Sequence, residues 1–239
     1  MMRSPSHDST PRHMVLLPGM HGTGELFLPF RKMMPAGFQA TVLELPNEPL
    51  SYSNLQRLME PRLPRDVPFV LLGESFSGPL AIRLAAKRPP NLRGLILCNS
   101  FVSPPRAPFW KMLPWTTLFR IPPPNLLLRR YLTGNDAPTC LLADIRRALT
   151  SVPPQILASR LRTALTENAH EALGQCVVPM LCLRGTKDRL VSARASRTME
   201  KIAPSIRRRE VTGPHLLIQV NPKEVWQAIT DFITTICTA

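Results

Sequence analysis

The sequence has no run of the roughly 18 apolar residues that a membrane-spanning helix needs. Its first stretch, MMRSPSHDSTPRH, has no apolar segment of the kind a secretory signal carries. Residues 1–13 are therefore expected to form a disordered leader, and the protein is expected in the cytoplasm. Cysteine is scarce: five in all, an odd number, with no Cys-x-x-Cys pair. That argues against a disulfide framework or a zinc knuckle and suits scattered thiols in a reducing compartment. Acidic residues are also few, 16 against 30 Lys and Arg, for a net charge of +14. No zinc-finger or RNP-like aromatic motif accompanies that charge, so nucleic acid is not the expected partner. An acidic protein, an anionic membrane surface or plain solvation would each account for it.

The 239 residues suit one sizeable domain with an inserted subdomain. Short apolar runs ended by Gly or Pro read as buried strands: HMVLLPG, QATVLELP, PFVLLGE, LRGLILCNS, VPMLCLRGTKD and a shorter IRRREVTG. Helical patterns alternate with them, including SFSGPLAIRLAAKRP after the third run and NPKEVWQAITDFITTIC at the end. Near-continuous apolar strands between helices imply a parallel sheet covered on both faces. The rhythm breaks between Asn99 and Gln175, where prolines cluster and only helical stretches follow. Residues 100–175 are expected to form a helical cap, with 14–99 and 176–239 as the core. No internal repeat is visible.

GESFSG, with Ser75 at its centre and Gly73 and Gly78 as the flanking glycines, is read as fitting the G-x-S-x-G pattern of a nucleophile elbow. In such an elbow a sharp strand-to-helix turn lifts the serine hydroxyl above the sheet, and side chains at the flanking positions would collide with strand and helix. A serine hydroxyl needs a base to take its proton. Downstream candidates must follow the order Ser, Asp, His. Asp188 lies in a loop after the fifth strand, and His215 lies after the sixth in GPHLL. The other histidines fall in the leader region, in a glycine-rich loop (His21) or in the cap pattern (His170). Charge in the transition state requires backbone donors. The N–H of Phe76, just after the serine, and that of Met20, in the loop LLPGMHGTGELF, are the expected oxyanion hole.

These motifs resemble the α/β-hydrolase superfamily over most of the chain. Where common members carry H-G-x in the oxyanion loop, this sequence has PGM, with Pro18 in the histidine place. It is similar to a bacterial and plant subgroup with the loop L-P-G-x-x-G-T-G-x-L-F, described as hydrolases or acyltransferases. It also has a general likeness to pimeloyl-acyl-carrier-protein methyl ester esterases. The resemblance implies an α/β-hydrolase fold, here with about six mostly parallel strands, helices on both faces and a helical cap insertion.

The function expected is cleavage of carboxylic esters or thioesters through an acyl-enzyme, with Ser75 as nucleophile, His215 as base and Asp188 orienting it. Acyl transfer to an alcohol would use the same residues, and a non-catalytic binder usually loses one of them. The chemistry needs no cofactor or metal. Trp110, Trp115 and Phe119 in the cap are candidate linings of an acyl pocket. Between Ser100 and Leu165 the cap carries nine cations and two anions. Arg146 and Arg147, with Arg160 and Arg162, are candidates to dock an acidic acyl-carrier protein; an anionic membrane surface is the rival partner.

Overall fold

The structure, a computed structural model, describes residues 11–105 and 108–238. Most of the expected leader, residues 1–10, and the cap cation Arg106 lie outside the described residues. Six strands form one sheet: His13–Leu17 (β1), Gln39–Val42 (β2), Phe69–Glu74 (β3), Leu92–Cys98 (β4), Met180–Gly185 (β5) and Arg207–Val211 (β6). Their order is β2-β1-β3-β4-β5-β6, and every pairing is parallel. Residues 11–13 of the expected leader are described and lead into the sheet. His13 is already a strand residue, in register with Gln39 and Phe69, and Gln39 N–H donates to Arg12 O.

The strands look continuously apolar because each serves two cores. Val15, Leu17, Leu71 and Leu97 face one core, and Met14, Leu16, Leu72 and Ile96 face the other. Each such side chain, once buried, contributes about 1.5–3 kcal/mol. The two edge strands are the exceptions: in β2 Gln39 and Thr41 are exposed, and β6 is exposed almost throughout. Arg207, Arg208, Arg209 and Glu210 are exposed on this edge strand, where charge discourages pairing with another chain. The final helix, Pro222–Thr238, seals one face. Val225, Trp226, Ile229, Phe232 and Ile233 recur at helical spacing and are buried. Trp226 stacks on Phe30 with centroids 4.3 Å apart and donates its indole N–H to Phe30 O at 2.7 Å.

Between β4 and β5 the described residues form no strand. The insertion holds two longer helices, Thr139–Thr150 and Pro154–Ala164. The stretch PQILASRLRTALTENAHEAL, from Pro154 to Leu173, reads in sequence as one helical pattern, but it is broken at residues 165–169 by contacts with the core. Ala169 N–H donates to Val102 O at 2.9 Å, and Glu167 pairs with Arg83 at 2.8 Å. The short helix that follows, His170–Gly174, places Leu173 in the core cluster that also holds Leu80 and Leu84. The insertion thus rejoins the body before its expected end. Among the described residues no helix is long and apolar enough to cross a membrane.

Strand order reverses between β1 and β3, because β2 lies to one side and β4 to the other. In open parallel sheets such a switch point opens a crevice at the C-terminal strand ends. The loops after β1 and β3 flank it here. The helix Ser77–Ala86 starts there and packs closely enough to need Gly78. A Cβ on Gly78 would lie 1.7 Å from Ser100 Oγ and 2.5 Å from Ser100 Cβ. Gly78→Ala is expected to destabilise the protein by about 3 kcal/mol. Ser100→Gly in the same chain should recover part of that loss, as measured by urea unfolding in a double-mutant cycle.

Candidate active site

β3 delivers Ser75 into the turn with φ +50, the left-handed region that ordinary residues rarely enter. The turn is fixed by its neighbours. Ser75 N–H donates to Cys98 O at 2.9 Å, while Ser75 O accepts from Gly78 N–H at 3.1 Å and from Ser100 Oγ at 2.7 Å. The strict G-x-S-x-G reading needs correction at one place. Ser77, not glycine, holds the second small position, and Gly78 is one residue further on. Serine is accommodated there because its side chain is buried and its hydroxyl donates to Pro18 O in the loop after β1.

The structure brings Ser75, His215 and Asp188 together from three loops. Ser75 Oγ lies 2.8 Å from His215 Nε2, and His215 Nδ1 lies 2.9 Å from Asp188 Oδ2. Asp188 Oδ1 accepts from the N–H groups of Leu190 at 2.8 Å and Val191 at 3.0 Å. A carboxylate so held accepts the Nδ1 proton, which leaves Nε2 as the acceptor facing the serine. His215 is buried and Ser75 partly exposed.

Asn99 holds the histidine loop and was missed in the sequence. It has φ +44 and is buried. Its Nδ2 donates to Pro214 O at 3.0 Å and His215 O at 2.6 Å, and its Oδ1 accepts from Gly185 N–H at 2.6 Å. One side chain therefore ties the end of β5 to the loop that carries His215. The signal available was an Asn directly after an apolar strand, which does not identify its partners.

Arg160 was misplaced rather than missed. The sequence places it among the cap's docking cations, yet it is 1% exposed. From the helix Pro154–Ala164 it donates Nη1 to Met20 O at 2.8 Å and His21 O at 3.0 Å, and Nη2 to Pro46 O at 2.9 Å. Gly22, at φ +78, must be glycine because a Cβ would sit 2.6 Å from this guanidinium. The remaining carbonyls of the loop are also held. Pro18 O accepts from Ser77, Gly19 O from Gly22 N–H and Gly22 O from Leu45 N–H. In a trans peptide the N–H points away from the preceding C=O. Anchoring Gly19 O and Ser75 O therefore also sets the direction of the Met20 and Phe76 N–H groups. Phe76 is steadied further by Tyr52, whose hydroxyl donates to Phe76 O at 2.6 Å.

Burial shapes the local electrostatics. It lowers the Arg160 guanidinium to about 10. Burial, and then the Arg160 charge, push the His21 imidazole down to about 4. Burial raises the Glu74 carboxyl, whose Oε1 accepts from Gln219 Nε2 at 2.9 Å. Among the described residues no cluster of three or more His, Cys, Asp or Glu side chains is arranged to hold a metal ion.

The remaining candidates divide. Trp110 and Trp115 stack with centroids 5.6 Å apart, and Phe119 follows at 5.9 Å. Phe119 also packs, with Met20, on the cap cluster of Val152, Ile156 and Leu157. Arg146 holds the proline-rich segment, donating to Pro123 O at 3.2 Å and Asn125 Oδ1 at 2.7 Å. Arg147 pairs with Asp144 at 2.8 Å and with Glu25 at 3.4 Å, both exposed contacts of small energetic weight.

Fold and site together define an α/β hydrolase. A family model described as serine aminopeptidase, S33, matches residues 53–216, and the chain belongs to that family. Residues 1–52 and 217–239 fall outside the match, so it covers Ser75, Asp188 and His215 but not the loop after β1. The chain is 32% identical over 108 residues to phytyl ester synthase 1, chloroplastic, of Arabidopsis thaliana, covering 42% of this chain and 15% of that protein. Solved structures share the fold. An esterase from Thermogutta terrifontis aligns with TM-score 0.78 at 21% identity, covering 95% of this chain and 91% of the other. The enol-lactonase of Burkholderia xenovorans LB400 aligns with TM-score 0.75 at 19% identity, covering 94% and 92%.

Two measurements check this account of the loop. Arg160→Met should lower kcat about 10²-fold by releasing Met20 and His21. Arg160→Lys should recover little, since an ammonium cannot reproduce the planar fork. His21 gives a pH test. Its imidazole takes a proton near 6.5 when unfolded and near 4 when folded, so the unfolded chain binds more protons between those values. Stability contributed by this group is present above pH 6.5 and lost as pH falls toward 4. Urea unfolding of wild type should show about 2 kcal/mol more loss between pH 7 and pH 5 than His21→Gln.

Proposed function

We propose that the protein cleaves carboxylic esters or thioesters of acyl groups through a covalent acyl-enzyme on Ser75. The observation that carries the reading is the unbroken chain from Ser75 Oγ through both ring nitrogens of a buried histidine to Asp188, with contacts of 2.8 Å and 2.9 Å. Ser75 Oγ attacks the acyl carbon as its proton passes to His215 Nε2. Asp188 holds the imidazole in the required tautomer and stabilises the imidazolium. The N–H groups of Met20 and Phe76 receive the negative charge on the former carbonyl oxygen. Collapse expels the alcohol or thiol, which takes the proton from His215. Water then repeats the sequence on the acyl-enzyme and releases the acid.

A second reading shares every residue: an alcohol replaces water and an ester is made. The likeness to a protein named phytyl ester synthase favours it, although this chain spans 15% of that protein's length. The two readings differ only in which nucleophile reaches the acyl-enzyme.

Ser75→Ala is expected to lower turnover of p-nitrophenyl esters by about 10³-fold or more, with an unchanged far-UV spectrum, and His215→Ala nearly as much. Turnover of Ser75→Ala within tenfold of wild type would overturn the assignment. Adding a long-chain alcohol to wild type and measuring free acid against new ester separates hydrolysis from transfer.

A further inference from the structure

The cap displays apolar side chains that nothing in its fold requires to be outside. Within residues 109–131, Met112 is 88% exposed, Leu126 76%, Ile121 68% and Phe109 62%, with Leu118 and Leu127 also exposed. Six others of this kind are spread over the rest of the described chain. Concentration of large apolar side chains in one short segment marks an interaction surface rather than ordinary surface composition.

The segment is anchored from behind. Leu128 is buried in the cap cluster with Leu141, Leu142 and Ile145, and Phe119 packs on that of Ile156 and Leu157. Arg146 holds the backbone at Pro123 and the side chain of Asn125. The exposed residues therefore stand on a packed base. The same segment contains Lys111, Arg120, Arg129 and Arg130 and no acidic residue. Lys111, Arg120 and Arg130 are exposed, and Arg130 also lies over the Tyr131 ring at 6.0 Å.

We propose that residues 109–131 form a docking surface for an anionic lipid bilayer. Apolar side chains would enter the headgroup boundary while the cations meet lipid phosphates. The half-buried Trp110 and Trp115 of the same segment are of the type that settles at such interfaces. Charge alone would suit an acidic carrier protein equally. The apolar tips favour lipid, because a bilayer boundary takes in large hydrophobic side chains and meets the cations beside them with phosphates at the same time. Three of the four arginines first expected to dock a carrier are otherwise engaged: Arg160 is buried in the loop clamp, Arg147 already meets two carboxylates, and Arg146 holds Pro123 and Asn125.

The inference concerns binding and does not rest on chemistry at Ser75. The test uses the full chain with Ser75→Ala, so that no turnover alters the lipid. Co-sedimentation is measured with vesicles of equimolar phosphatidylcholine and phosphatidylglycerol, and with phosphatidylcholine alone. Binding to the anionic vesicles is expected, with weak binding to the neutral ones and loss at high salt. Ile121→Glu with Leu126→Glu should lower it at least about tenfold, and Arg120→Gln with Arg130→Gln about fivefold per charge. In an otherwise unaltered chain, Ile121→Glu with Leu126→Glu should leave turnover of a small soluble ester within about twofold of wild type, which shows the variant folded. Three results would overturn the proposal: no vesicle binding; binding indifferent to the apolar substitutions; or capture of acyl-carrier protein, or self-association, that accounts for the same residues. Absent ester turnover in wild type would count against the hydrolase reading and leave vesicle binding to be judged separately.

Discussion

Everything at the site depends on holding one residue, Ser75, at φ +50 where β3 ends. For a residue with a side chain that conformation costs about 1–2 kcal/mol. It persists because the surroundings over-determine it. Cys98 O fixes its N–H, Gly78 N–H and Ser100 Oγ fix its carbonyl, and His215 meets its hydroxyl. The glycines on either side serve this close approach. A Cβ on Gly73 would lie 2.7 Å from Ala81 Cβ, as one on Gly78 would collide with Ser100. The elbow is therefore a junction of β3, β4 and the helix Ser77–Ala86, and no one element supports it alone.

The same principle governs the loop after β1. Its carbonyls from Pro18 to Gly22 are all occupied, two of them by Arg160 from the cap. A buried guanidinium with neutral carbonyl partners is expensive to desolvate, which its lowered proton affinity reflects. It also adds a fixed positive charge beside the loop, against the carbonyls of Met20 and His21. Cap position and loop geometry are thus coupled through one side chain. The cap reaches the segments after β1 and β6 by packing as well, since Leu26 and Leu216 share a cluster with Leu141 and Ile145.

The sheet was legible because buried parallel strands leave an unmistakable pattern. Runs such as FVLLGE have both faces covered, and all six runs, the more polar edge strands β2 and β6 included, became strands. Ser75, Asp188 and His215 were legible because each follows a strand that ends at the same edge. What was not legible depends on contacts distant in sequence. Asn99 reaches residues 115 and 116 positions away, and Arg160 reaches residues 139 and 140 positions away. On a helix with other arginines, nothing local distinguishes a buried Arg160 from an exposed Arg162. The helical reading across 165–169 failed for the same reason, since Val102 O and Arg83 outcompete local helix propensity there.

The central claim is that Ser75 becomes covalently acylated. Its most direct test is peptide mass spectrometry of protein quenched during turnover of an activated acyl ester. The account predicts one acyl group, on the peptide that contains Ser75, absent when His215 is replaced by alanine. Steady turnover with no acylated peptide, or with the acyl group on another residue, would contradict it.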